Sequence, residues 1–320
     1  MKNPARRAAL LLAMALPLPL TALSQASDNR ITIIVAAAAG GALDKVARVV
    51  GKRWAETSGV PVVVDNKAGA NGMIAADYVS KSKPDGRTIL FDQSSMLLHT
   101  FMHKKVPFNP SEMVPLTKLV ELPHVLVVNS AQPHNTIAEF LAAAKASPGR
   151  YNFSTPGPGS SQQLVVEQFA RKAGIQLQHV PYKGGAPAML AAASGEVQVS
   201  AVSLATTLPF IEKGKVRALA VDAPERVEAL PNVPTFGELG FKGIPRVWFG
   251  AFLPPGTPPA VVKQLHDGMV AALKDPVVAE AMRKDGFRLI GNTPEAFASE
   301  NLDETKVGQK IVQDLNLHIE

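Results

Sequence analysis

The 320-residue chain is longer than the roughly 100–200 residues of one domain, and 46% hydrophobic with 19% charged residues excludes a disordered or low-complexity polymer. The formal charge of +6 is spread without the basic clusters and interleaved aromatics that nucleic-acid binding needs, so that partner is discounted. With no Cys there are no disulfides and no thiolate chemistry.

Residues 1–26 read as an export signal. Lys2, Arg6 and Arg7 precede an apolar run over residues 8–23, and Ser24-Gln25-Ala26 offers small residues for cleavage after Ala26. That run is shorter than a membrane span and is interrupted by Pro17 and Pro19. No later stretch is long and apolar enough to span, so the expected location is the periplasm.

Strands then alternate with helices. Residues 31–35 form a β-branched run; Leu43, Val46, Ala47, Val50 and Trp54 recur at helical spacing; residues 60–65 are again strand-like. Pro84-Asp85-Gly86 is a turn before a strand at 88–91, and residues 125–129 form another. Thr136 with Glu139 makes a capping box for a helix through Lys145. A strand near 151–154, a helix over 161–173 and a strand at 177–180 follow. Later helices are expected at Pro258, Pro276 and Pro294, capped by Thr257, Asp275 and Thr293.

Alternation of this kind predicts an α/β fold whose ligands bind at the carboxyl ends of the strands. Two Gly-rich loops occupy such positions. The first includes Ala37, Ala38, Gly40, Gly41, Ala42, Leu43 and Asp44; the second includes Gly157, Gly159, Ser160 and Ser161. Glycine lets a backbone approach a ligand, and amides at a helix start accept an anion. A tight turn with a cap is the bland alternative for either loop taken singly. Ser94, Ser95 and Ser203 are further candidates from their places at strand ends. Asp44 either shapes the first loop or answers the helix dipole. Trp248 reads as hinge or core packing.

These segments carry a family resemblance. Ala36-Ala37-Ala38-Ala39-Gly40-Gly41-Ala42-Leu43-Asp44, Pro84-Asp85-Gly86, His179-Val180-Pro181-Tyr182-Lys183-Gly184, Leu230-Pro231-Asn232-Val233-Pro234-Thr235 and Pro254-Pro255-Gly256-Thr257-Pro258 resemble the Bug receptors of tripartite tricarboxylate transporters. The likeness spans almost the whole mature chain.

It implies a two-lobed periplasmic binding protein fold of type II kind, each lobe a mixed sheet flanked by helices. Lobe 1 would comprise residues 27–128 with 246–320, lobe 2 residues 129–245, and the chain would cross near Asn129 and near residues 245–248. It further implies a receptor for a small carboxylate held by the two loops, for which a monomer suffices; Tyr182 and Lys183 either line the cleft from the second lobe or belong to a surface turn over residues 181–185. The partner would be an inner-membrane permease, or a sensor kinase if the receptor signals; no cofactor or metal is implied. Departures from the family pattern are Ala36-Ala37 in place of Pro-Phe, Leu43 in place of a hydroxyl residue, Gln163 in place of His, and Gln198, Ala201 and Val202 in place of acidic and aromatic residues. They lead to the expectation of a roomier, less polar site suited to a bulkier acid. No nucleophile elbow, phosphate loop, dinucleotide fingerprint or zinc helix is present, so no catalysis is expected.

Overall fold

The computed structural model describes residues 30–318, so the export signal expected over 1–26 lies outside the described residues. Among them, no helix is long and apolar enough to cross a membrane.

The first β-branched runs become β1 (Ile31–Val35), β2 (Val62–Asn66) and β3 (Thr88–Gln93), which pair in parallel on either side of β1. Their crossovers carry α1 (Ala42–Ser58) and α2 (Met73–Ser80), the latter entered through a 3₁₀ turn at Ala70–Gly72. Because β2 and β3 flank β1 from opposite sides, right-handed crossovers put the two helices on opposite faces of the sheet. A 3₁₀ turn at Ser94–Leu98, α3 (His99–Met102) and β4 (Val114–Glu121) follow.

The chain then changes sheet. β5 (His124–Asn129), β6 (Tyr151–Thr155), β7 (Leu177–Pro181), β8 (Val199–Ser203) and β9 (Val216–Asp222) form a five-stranded sheet in the order β7-β6-β8-β5-β9. Between them lie α4 (Ile137–Ala146), α5 (Ser161–Ala173), α6 (Gly185–Ser194) and α7 (Leu204–Glu212). Alternation along β5 sorts its side chains: Leu126 and Val128 pack with α4 and α5 on one face, Val125 and Val127 with α6 on the other. β10 (Trp248–Leu253) and β11 (Arg288–Leu289) complete the first sheet in the order β11-β4-β10-β3-β1-β2, followed or separated by α8 (Pro259–Lys274), α9 (Pro276–Lys284) and α10 (Pro294–Leu315). Two mixed sheets flanked by helices make the two-lobed binding-protein architecture that the resemblance implies.

Two sequence expectations need correction. The crossing expected near Asn129 comes earlier, because β5 pairs antiparallel with β8 and β9 and therefore belongs to the second sheet. An apolar strand carries no mark of which sheet it joins; the punctuation is Leu122-Pro123. Leu122 N–H donates to the Val247 carbonyl (2.9 Å), tying the outgoing connection to the returning one. Val247 packs with the second lobe's core and Trp248 with the first's. The other correction concerns α8, which starts at Pro259 with Pro258 as its cap residue. Thr257 does not cap it, because its hydroxyl donates to the Pro254 carbonyl at 2.8 Å.

Close packing governs the strand that returns from the hinge. Trp248 and Phe297 meet edge to face with centroids 5.2 Å apart, both fully buried. A Cβ on Gly250 would lie 2.6 Å from Phe297 and 2.9 Å from Trp248. Neither ring has room to retreat, so Gly250→Ala is expected to cost about 1–3 kcal/mol of stability through overpacking. A lowered urea midpoint with unchanged slope checks this.

Candidate functional site

The carboxyl ends of β1, β3 and β4 face the carboxyl ends of β6, β8 and β9 across the gap between lobes. That is where ligands of open α/β sheets sit. The first loop runs over residues 36–41 from β1 to α1, and residues 38–41 are exposed.

Asp44 shapes this loop. Its buried Oδ2 accepts from the Gly40 amide (2.8 Å) and from Arg48 Nε (2.9 Å). Arg48 also donates to Asn66 Oδ1 (2.9 Å), and Asn66 Nδ2 donates to the Ala37 carbonyl (3.1 Å). Burial works to raise the Asp44 pKa, but the bonds from Arg48 and Gly40 outweigh it and hold the carboxyl below its usual value. The Gly40 amide is thereby used up. Gly41 precedes α1 with no side-chain cap, and the first intrahelical bond is made by Lys45 to the Gly41 carbonyl. The first-turn amides of Ala42, Leu43 and Asp44 thus have no partner within the helix. They stand at the positive end of a 17-residue dipole.

The second loop is knit more tightly. Gly159 N–H donates to Gln163 Oε1 (2.8 Å), Gly157 N–H to Thr155 Oγ1 (3.3 Å), and Ser160 caps α5 by accepting from Gln163 N–H (3.3 Å). The glycine amides here are satisfied internally. What remains at the start of α5 is the pair of amides of Ser161 and Gln162, ahead of the capped position. Gln162 Nε2 lies 2.9 Å from His124 Nε2. The His124 Nδ1–H is directed at the Leu122 carbonyl (2.8 Å), so Nε2 is the acceptor, and burial lowers its pKa to about 4.

Asn71 links the lobes, and sequence reasoning missed it. Its Nδ2 donates to the Gly159 carbonyl (2.9 Å) across the gap and approaches Ser95 Oγ at 3.3 Å, while Oδ1 accepts from Gln93 Nε2 (3.1 Å). Asn71 adopts left-handed backbone angles (φ 51°, ψ 37°), which Asn tolerates better than most residues. The run Gly69-Ala70-Asn71-Gly72 was the available signal. Ser94 Oγ meets Ser161 Oγ at 2.9 Å. Leu164 packs into the first lobe's core, and Arg171 on α5 pairs with Asp314 on α10. The gap is therefore bridged by direct contacts from the second glycine loop to α10, while residues 38–41 of the first loop stay exposed at its open side.

The other sequence candidates sort as follows. Leu43 is buried in the core of the first lobe, so its side chain does not line the gap. Gln198 Oε1 accepts from Asn152 N–H at the start of β8, and Ala201 and Val202 lie within the second lobe's cores. These three positions shape packing, because only the carboxyl end of β8 reaches the gap. Tyr182 donates to Glu196 (2.6 Å), with burial and that carboxylate pushing its pKa to about 12; Lys183 is exposed. Ser203 Oγ lies 2.9 Å from Thr206 Oγ1 in the first turn of α7.

Beneath the first loop lies Asp92, which is fully buried. Its Oδ1 accepts from the Gln93 amide (2.7 Å), and Oδ2 has no partner. A Cβ on Gly72 would come within 2.9 Å of Oδ1 and 3.3 Å of the Ala36 Cβ, and Gly72 has φ +97°, so only glycine fits. Burial lifts the Asp92 pKa to about 8, leaving it largely protonated at neutral pH. The floor under the loop then carries little of the negative charge that would oppose an anion. Between pH 3.8 and about 8 the unfolded chain releases this proton while the fold retains it, so this group's contribution to stability falls as pH rises. Asp92→Asn should therefore gain stability relative to the parent progressively from pH 4 to 8 and level off above. Denaturant titrations of both proteins across that range check it; a pH-independent difference contradicts the assignment.

The profile of the tripartite tricarboxylate transporter family receptor matches residues 46–317 of the chain. The protein BugT of Bordetella pertussis is 32% identical over 288 residues, covering 89% of this chain and 88% of BugT. The structure of the periplasmic binding protein BugD superposes with a TM-score of 0.79 at 30% identity, covering 91% of this chain and 99% of BugD. A Rhodopseudomonas palustris protein solved with adipate superposes with a TM-score of 0.81 at 28% identity, over 90% of this chain and 97% of that one.

Proposed function

Since the chain belongs to the tripartite tricarboxylate transporter receptor family, whose members are periplasmic solute-binding receptors, we propose that it captures a small carboxylate between its lobes and hands it to a membrane permease. The observation that carries this reading is the uncapped start of α1 at the open side of the gap. Three first-turn amides and the dipole behind them offer a carboxylate charge-assisted hydrogen bonds without a formal cation. Across the gap, the Ser161 and Gln162 amides and the hydroxyl of Ser203 are set to engage the far end of the ligand.

The ligand is bulkier than the smallest dicarboxylates. Of the departures from the family pattern, Ala36-Ala37 is the pair that borders the open loop, and the methyl of Ala37 leaves room where the family has an aromatic ring. The adipate-bound relative is in keeping with an extended acid. Gly40, Gly41, Gly157 and Gly159 serve by shaping the two turns, with the neighbouring helix amides doing the binding. The protein performs no chemistry on its ligand.

Titration calorimetry over C4 to C8 dicarboxylates and aromatic monocarboxylates tests the reading, together with Ala38→Trp on the exposed first loop. Binding of the best acid is expected to raise the melting temperature. Ala38→Trp should weaken it at least tenfold, or about 1.4 kcal/mol, without changing the fold. If no acid shifts the melting temperature, or if the tryptophan leaves affinity unchanged, the proposal fails.

A further inference from the structure

A second space between the lobes lies behind the contacts that close one flank of the gap. It is a cavity of about 610 Å³, walled on one side by α10 and on the other by the connection that returns to β10. Ser94 and Ser161, hydrogen-bonded to one another, stand on its border, and none of the residues of the first glycine loop reaches it. The size is that of a small-molecule site.

Its walls are of two kinds. Leu97, Leu98 and Ile311 from the first lobe face Leu164 and Ile244 from the second, and Val307 on α10 adds an apolar side chain that is 50% exposed. The charged wall holds Arg246 and Arg288, which share one carboxylate: Arg288 bonds Glu121 Oε2 at 2.7 Å, while Arg246 is 3.5 Å from Oε1. Two guanidinium groups share the Glu121 carboxylate, burial lifts the neighbouring Asp222 carboxyl well above its usual range, and 3.5 Å is too long for a strong hydrogen bond, so Arg246 has donors to offer. On the opposite rim Glu300 and Glu304 share Lys118 at 2.7 and 3.1 Å, which leaves a negative charge in surplus along α10, and Asp303 is met by Lys306 at 3.4 Å, so the arginine wall is where a carboxylate would be received.

We propose that this hinge-side cavity is a second ligand site for an amphipathic monocarboxylate, its aliphatic tail among Leu98, Leu164, Ile244 and Val307 and its carboxylate on Arg246. A molecule seated there touches both lobes and the returning hinge connection. It therefore stabilises one interlobe angle and couples to the glycine-loop site through that angle, with a sign fixed by which angle the second site prefers.

Octanoate is the probe, titrated into the full chain by calorimetry. Binding of octanoate is expected, weakened at least tenfold by Val307→Trp, which fills the cavity from an exposed position, and at least tenfold by Arg246→Gln. The first-loop variant Ala38→Trp should leave octanoate affinity within twofold of the parent. No octanoate binding overturns the proposal. So does binding that Ala38→Trp abolishes and Val307→Trp spares, because octanoate would then occupy the glycine-loop site. Loss of dicarboxylate binding in Ala38→Trp is a separate readout, so the two sites stand or fall independently.

Discussion

An α-helix that starts without a cap leaves its first amides looking for an acceptor, and at the gap between these lobes α1 starts in that way. The carboxylate best placed to cap it, Asp44, is turned back onto Gly40 and Arg48 instead. That arrangement fixes the loop and leaves the next three amides without a partner in the helix. The rest of the first lobe supports the geometry: Asn66 pins the Ala37 carbonyl, Gly72 makes room for Asp92, and a protonated Asp92 keeps the floor close to neutral. An anion site built from peptide dipoles depends on such neutrality, since an unpaired negative charge nearby would cancel what the amides supply, and the charge of Asp44 is offset by Arg48.

The lobes are joined asymmetrically, and this decides how the gap can work. Asn71 to Gly159, Ser94 to Ser161, Leu164 in the opposite core and Arg171 with Asp314 all lie on one flank. Motion that opens the gap must pivot about these contacts or break them. Asn71 ties the turn at residues 70–72 to the second glycine loop, its amide spent in three directions on both lobes. The left-handed backbone at this residue is the kind of local strain that persists where surrounding contacts over-determine it.

Much of this was legible in the sequence. The β-branched run before Gly40-Gly41, the helix over Ser161–Ala173 and the caps at Asp275 and Thr293 follow from periodicity and capping chemistry alone, and the structure has them where expected. The exchange of sheets at Leu122-Pro123 was not legible, because sheet membership of β5 is a tertiary choice between equally apolar partners. Side-chain direction was the other gap. Leu43, Gln198, Ala201 and Val202 are near the loops in sequence yet point into packing, while Asn71 and Gln93 reach the site from turns that carry no chemical motif. Glycine spacing marks the two strand-to-helix turns, but it carries no sign that the amides of Gly40, Gly159 and Gly157 are held by Asp44, Gln163 and Thr155.

The central claim is that main-chain amides at the start of α1, with no guanidinium or ammonium group, hold one end of the ligand. A crystal structure of the protein soaked with adipate tests it most directly. The account predicts a carboxylate oxygen within about 3 Å of the Ala42 or Leu43 nitrogen, with the chain of the acid directed towards Ser161. A carboxylate found instead on an arginine or lysine side chain, with those amides bonded only to water, would contradict it.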